Sequence, residues 1–107
     1  MEANEYQKRS KKTLKEESRN LNYLSMGLAS EAGEVCGLTK KIIRDKGDKL
    51  TGEDREKYLK ELGDVAWYLA NLADLLNLSL DNVFQENLNK LQDRKERGVI
   101  EGSGDDR

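Results

Sequence analysis

The sequence predicts an all-α fold, an antiparallel bundle of four to five helices completed by homo-oligomerisation. Three observations predict it. Apolar residues recur at helical spacing, first at Leu21, Leu24, Leu28, Val35, Leu38 and Ile42, then at Tyr58, Leu62, Val65, Leu69, Leu72 and Leu76. The 107 residues contain no proline, so nothing forces a break inside these long periods, and strand signatures are scarce. Finally, 36% apolar against 37% charged content describes one highly solvated domain with a thin core, whose helices a partner subunit helps to bury.

Taken in order, an amphipathic helix is expected from Asn4 to Lys15, followed by a polar break at Ser18 to Asn20. A second helix, Leu21 to Asp45, carries many small residues (Gly27, Ala29, Ser30, Ala32, Gly33, Gly37) that allow close approach of a neighbour. The Lys46-Gly47-Asp48 turn and Thr51-Gly52 mark the next boundary, with Thr51 as N-cap of a third helix from Glu53 to Leu76. Asn77 ends that helix and Ser79 caps a fourth, defined by Leu80, Phe84, Leu88 and Leu91 and running to Arg97. Residues 1–98 thus form the domain. Residues 99–107, polar and Gly-rich, are expected as a flexible C-terminal tail, disordered or ordered by something else.

The chemistry-bearing feature is a repeated pattern. Glu31-Ala32-Gly33-Glu34-Val35 and Glu61-Leu62-Gly63-Asp64-Val65 each place two acids three residues apart, about 60° around a helix and therefore on one face. Glu31 takes the place of a missing member of the first apolar stripe, and Glu61 and Asp64 each precede a member of the second. Carboxylates at the edge of an apolar interior repel one another and lose hydration, a cost that a bound cation offsets. The internal glycines, each disfavoured in a helix by about 1 kcal/mol relative to Ala, suggest close backbone approach. Because the second and third helices are joined by a short connection, they pair as an antiparallel hairpin, and both acidic pairs fall at similar depth from its turn.

Composition removes whole classes of mechanism. There is no histidine, hence no Ser-His or Cys-His pair and no His-based zinc or di-iron site. The single cysteine, Cys36, cannot form an internal disulfide and reads as a small apolar residue. A net charge of -2 argues against general nucleic-acid binding, although Lys8, Arg9, Lys11, Lys12 and Lys15 form a basic cluster best read as a solvated face. With no signal peptide and no membrane-spanning run, a cytoplasmic location is expected.

Oxygen-only ligands select Mg²⁺, Mn²⁺ or Ca²⁺, and no EF-hand loop is present. Mg²⁺ held by a few carboxylates is completed by substrate phosphates, so the expected substrate is a phosphate ester or anhydride. The segments EAGEV and ELGDVAWYLA, with GLASEAGEV before and NLNKLQDRKERG after, resemble the signature of the MazG-like all-α nucleoside triphosphate pyrophosphohydrolases, from Tyr6 onward. The resemblance implies Mg²⁺-dependent hydrolysis, with Mn²⁺ as a substitute, between the α- and β-phosphates of an NTP or dNTP. It implies Glu31, Glu34, Glu61 and Asp64 as metal ligands and catalytic residues. Nucleotide-pool housecleaning is the leading role expected, and a homodimer or homotetramer would each cover the apolar stripe that one small subunit leaves open.

On the fourth helix Asn87, Lys90 and Arg94 share a polar face and match the family's Asn, Lys and Arg positions. Lys90 and Arg94 are expected as phosphate ligands, with Lys41 a weaker third, against the alternative of solvent-facing charges. Trp67 and Tyr68 lie close enough to Asp64 to stack on a nucleobase, while Asn71 and Asn87 could contact the nucleoside. Core packing remains the alternative for both rings, and a role behind the metal ligands for Asn71. The competing functional readings are a metal-binding interaction module without turnover and a phosphohydrolase of the phosphoribosyl-ATP type.

Overall fold

A computed structural model of the chain describes residues 1–47 and 49–107, so the expected turn at Lys46-Gly47-Asp48 lies outside the described residues at Asp48. Four α-helices follow in order: α1 Ala3–Lys11, α2 Leu21–Lys46, α3 Gly52–Leu75 and α4 Leu80–Glu96, with one 3₁₀ turn at Glu16–Ser18. No strand occurs among the described residues.

The helices start where local chemistry satisfies their free N–H groups. Asn20 accepts from Tyr23 N ahead of α2, and Ser79 accepts from Asn82 N ahead of α4. Before α3 a full capping box forms, in which Thr51 Oγ1 accepts from Asp54 N at 3.1 Å and Asp54 Oδ2 accepts from Thr51 N at 3.0 Å. At the far end of α3, Asn77 takes a φ of 60° and Leu78 N reaches back to Ala73 O at 2.8 Å, which stops the helix where the sequence suggested.

The α2–α3 hairpin is antiparallel, and its register is visible in contacts that run in opposite directions along the two helices. Lys46 pairs with Asp54 at 2.9 Å, Thr39 Oγ1 meets the Tyr58 hydroxyl at 2.5 Å, and the Tyr68 ring lies against Gly27. Helix α1 docks on α3 and on the start of α4. Gln7, buried, joins all three parts: its Nε2 donates to Ala70 O and Leu78 O, and its Oε1 accepts from Leu80 N. Asp74 closes the same end, accepting from Arg19 at 3.0 Å and pairing with Lys11 at 3.2 Å.

Three expectations are corrected. Helix α1 stops at Lys11 rather than Lys15, because the indole N–H of Trp67 holds Ser10 O and Thr13 Oγ1 and the chain turns there. The second apolar stripe is only partly covered: Leu62 and Leu76 are exposed and Tyr58, Val65, Leu69 and Leu72 are half-buried, whereas Ala70, Asn71 and Ala73 are the buried members of α3's second half. Gly33 and Gly63 have nothing within 4 Å of an added Cβ; the close approach is at Gly27, where a methyl group would overlap Tyr68.

Candidate metal and nucleotide site

The acidic motifs meet halfway along the hairpin. One carboxylate oxygen from each of Glu31, Glu61 and Asp64 lies within 4.8 Å of the other two. Glu31 and Glu61 are half-buried and Asp64 is exposed, so the cluster opens to solvent on one side. Burial pushes the Glu31 carboxyl above its ordinary 4.5, with further contributions from the charges of Asp64, Glu61 and Glu34. Glu34 is exposed one turn further along α2; its charge is felt at Glu31, but its oxygens are not among those that converge.

The donor set fits a hard divalent cation. Two ligand oxygens on one ion are separated by at most twice the metal–oxygen distance, about 4.2 Å for Mg²⁺ and about 4.8 Å for Ca²⁺. The three oxygens all lie within 4.8 Å of one another, and like charges with no described cationic side chain paired to them leave Glu31 reluctant to ionise. A cation reverses that balance.

An aromatic wall stands beside the acids. Trp67 and Tyr68 meet edge to face, with centroids 4.9 Å apart and planes at 85°, and Tyr23 of α2 lies 6.2 Å from Tyr68. Hydrogen bonding with Tyr23, then burial and the charges of Tyr23, Glu31 and Asp64, push the Tyr68 hydroxyl up to about 12. Tyr6 of α1 is raised as well, by burial and by Asp64. A cavity of about 320 Å³ beside this wall is lined by Thr13, Leu14, Lys15, Glu17, Ser18, Tyr23 and Trp67. Tyr6, Tyr23 and Lys15 carry no site motif in the sequence; the docking of α1 brings Tyr6 here, the pairing of α2 with α3 sets Tyr23 against Tyr68, and Lys15 comes from the link between α1 and the 3₁₀ turn.

The other expected residues are placed unevenly. Asn71 is fully buried, its amide nitrogen donating to Trp67 O and its Oδ1 without a partner, so a nucleoside cannot touch it in this conformation. Asn87 and Lys90 share a surface depression of about 420 Å³ with Val83 and Glu86. Arg94 is buried and bonded to Asp105, and no described ion pair links either cation to the acidic cluster. Lys41 is exposed on α2.

A family model described as the MazG nucleotide pyrophosphohydrolase domain matches residues 19–99. The chain belongs to the MazG family. That span holds both acidic motifs, the hairpin turn and α4, and leaves α1 outside the MazG match. The Gene 37 protein of Mycobacterium phage L5 is 56% identical over 87 residues, 81% of this chain and 76% of that protein. No solved structure matches the chain. The acidic cluster accords with the divalent-metal dependence general to MazG domains. No described helix is long and apolar enough to cross a membrane.

Proposed function

We propose that this MazG-family chain is a Mg²⁺-dependent nucleoside triphosphate pyrophosphohydrolase that splits the α–β anhydride of NTPs or dNTPs in nucleotide-pool housecleaning. The convergence of Glu31, Glu61 and Asp64 from two facing helices carries this reading. When bound, the divalent ion supplies charge neutralisation to the polyphosphate and a more acidic water. Glu31, Glu61 and Asp64, projecting from two facing helices, would hold it. Glu34, beside them with no described ion pair, orients the attacking water and accepts its proton on a carboxylate oxygen. The new bond joins the water oxygen to the α-phosphorus; the α–β bridge breaks, releasing monophosphate and pyrophosphate.

Lys90 and Arg94 are the phosphate ligands in this reading, and the cavity against Tyr23 and Trp67 takes the nucleoside. The exposed apolar residues Leu59, Leu62, Phe84 and Leu88 lie on surfaces that a second copy covers in a homodimer or homotetramer. Incubating the protein with Mg²⁺ and a panel of triphosphates, with all phosphorus products separated, tests the proposal. Monophosphate plus pyrophosphate is the expected outcome; diphosphate plus orthophosphate, or metal binding without turnover, overturns it.

A further inference from the structure

The Lys90–Arg94 pair already holds an anion. Lys90 Nζ donates to Asp105 Oδ1 at 2.8 Å, while Arg94 Nη2 donates to the same oxygen at 3.0 Å and also to the Asp105 carbonyl. Arg94 is 5% exposed, whereas the Asp105 side chain is 79% exposed. The carboxylate therefore sits on the outer side of the pair, between its cations and solvent. Among the described residues, both cations direct their ion pairs to Asp105 alone. The two cations hold the Asp105 carboxyl below its ordinary 3.8, Lys90 contributing most, so it is an anion at neutral pH.

The segment that delivers Asp105 is shaped for the task and weakly anchored. Gly98, at φ 72°, turns the chain out of α4, and Gly102 and Gly104, at φ 126° and 86°, turn it back. An added Cβ at Gly102 would also crowd Arg107 Cδ at 3.2 Å. Arg107 ties the loop by donating to Val99 O at 3.0 Å, Ile100 O at 2.9 Å and Gly104 O at 2.6 Å. From Glu101 to Arg107 there is no apolar side chain, so polar contacts alone hold the segment against α4.

We infer that Asp105 is an internal stand-in for phosphate: residues 101–107 close the Lys90–Arg94 pair, and a phosphate group binding there displaces them. This inference rests on the reading of Lys90 and Arg94 as phosphate ligands. A phosphate presents the oxygens that Arg engages bidentately and carries more charge than one carboxylate, so a polyphosphate competes successfully for the same donors. The closed segment lowers the apparent affinity by the fraction of molecules in which it is closed.

The test is calorimetric binding of pyrophosphate, without divalent cation, to the intact chain and to Asp105→Asn, Arg107→Ala, Lys90→Ala and the Asp105→Asn/Lys90→Ala pair. Asp105→Asn keeps the shape and removes the charge; Arg107→Ala loosens the loop while leaving Asp105 and both cations unchanged. Each is expected to tighten binding about threefold or more, and the gain is lost in the double variant. Hydrogen exchange gives the second readout, in which pyrophosphate deprotects amides 103–106 of the unmodified chain. If Lys90→Ala weakens binding but neither Asp105→Asn nor Arg107→Ala changes it, the pair binds phosphate and the closure is overturned. If Lys90→Ala changes nothing, the phosphate assignment falls and the closure with it.

Discussion

Asp54 and Glu31 are carboxylates on the same helical hairpin, and their surroundings are opposite. Asp54 is buried with every need met: it accepts from Thr51 N and pairs with Lys46, and these bonds pull its carboxyl from 3.8 down to about 2. Glu31 is half-buried against Asp64, Glu61 and Glu34, with no described cation beside it, and is raised. One acid completes the fold and the other is held at a cost to it. An acid that the chain itself does not neutralise is where a ligand has to be sought.

The largest test of this contrast is Glu61→Gln. It is expected to reduce Mg²⁺-dependent turnover by about 100-fold or more while leaving the metal-free protein at least as heat-stable, because it relieves repulsion at Glu31. A loss of thermal stability in chelator would place Glu61 with Asp54 among the structural acids.

Acidity separates the two acids further, and in opposite senses. Glu31, with its folded pKa raised, weakens the metal-free fold as pH climbs from 4.5 through that higher value, and protonation competes with metal. Mg²⁺ affinity is therefore expected to fall by about tenfold per pH unit below the raised pKa for one displaced proton. Asp54 behaves in reverse: its stabilisation is complete above 3.8 and is lost as pH falls to about 2. Replacing it with Asn should flatten the acid limb of an unfolding-versus-pH curve, and an unchanged limb would refute the assignment.

Smaller effects probe the hairpin that carries both acids. Gly27→Ala forces a methyl group into the Tyr68 ring and is expected to cost about 1–3 kcal/mol in chemical denaturation. Thr51→Ala removes one half of the capping box and should cost about 1 kcal/mol, half a hairpin away from the acids and without effect on metal affinity. Gly63→Ala meets open space, so the isolated chain should gain about 0.5–1 kcal/mol. If that variant also fails to self-associate in sedimentation, the open face at Gly63 is where a second copy packs.

Much of this was legible because it is periodic or local. The spacing of Leu21, Leu24 and Leu28 gave α2 its start, and Thr51, Asn77 and Ser79 marked ends that the dihedrals and caps bear out. The repeated acid pairs pointed to one face, and three of the four carboxylates converge. Tertiary packing was not legible. Nothing local says that Trp67 bonds Ser10 and Thr13 and thereby ends α1 early, or that Leu62 faces solvent while Asn71 is buried. The aromatic wall joins Tyr23 of α2 to Tyr68 of α3, and Asp105 folds back onto Lys90 and Arg94, in both cases without any spacing in the sequence to betray them.

Gln7 imposes an order on assembly. Its three hydrogen bonds span 63 to 73 residues of chain, so the full set requires both α3 and the start of α4 to be in place. The hairpin, whose pairings close much shorter loops, can form first, and α1 arrives as the last piece. The reverse step is then a partial opening in which α1 swings away while α2 and α3 stay paired. Such an opening would bare the Leu80 amide that Gln7 now holds, and amides of α1 would exchange hydrogen well before those of the hairpin.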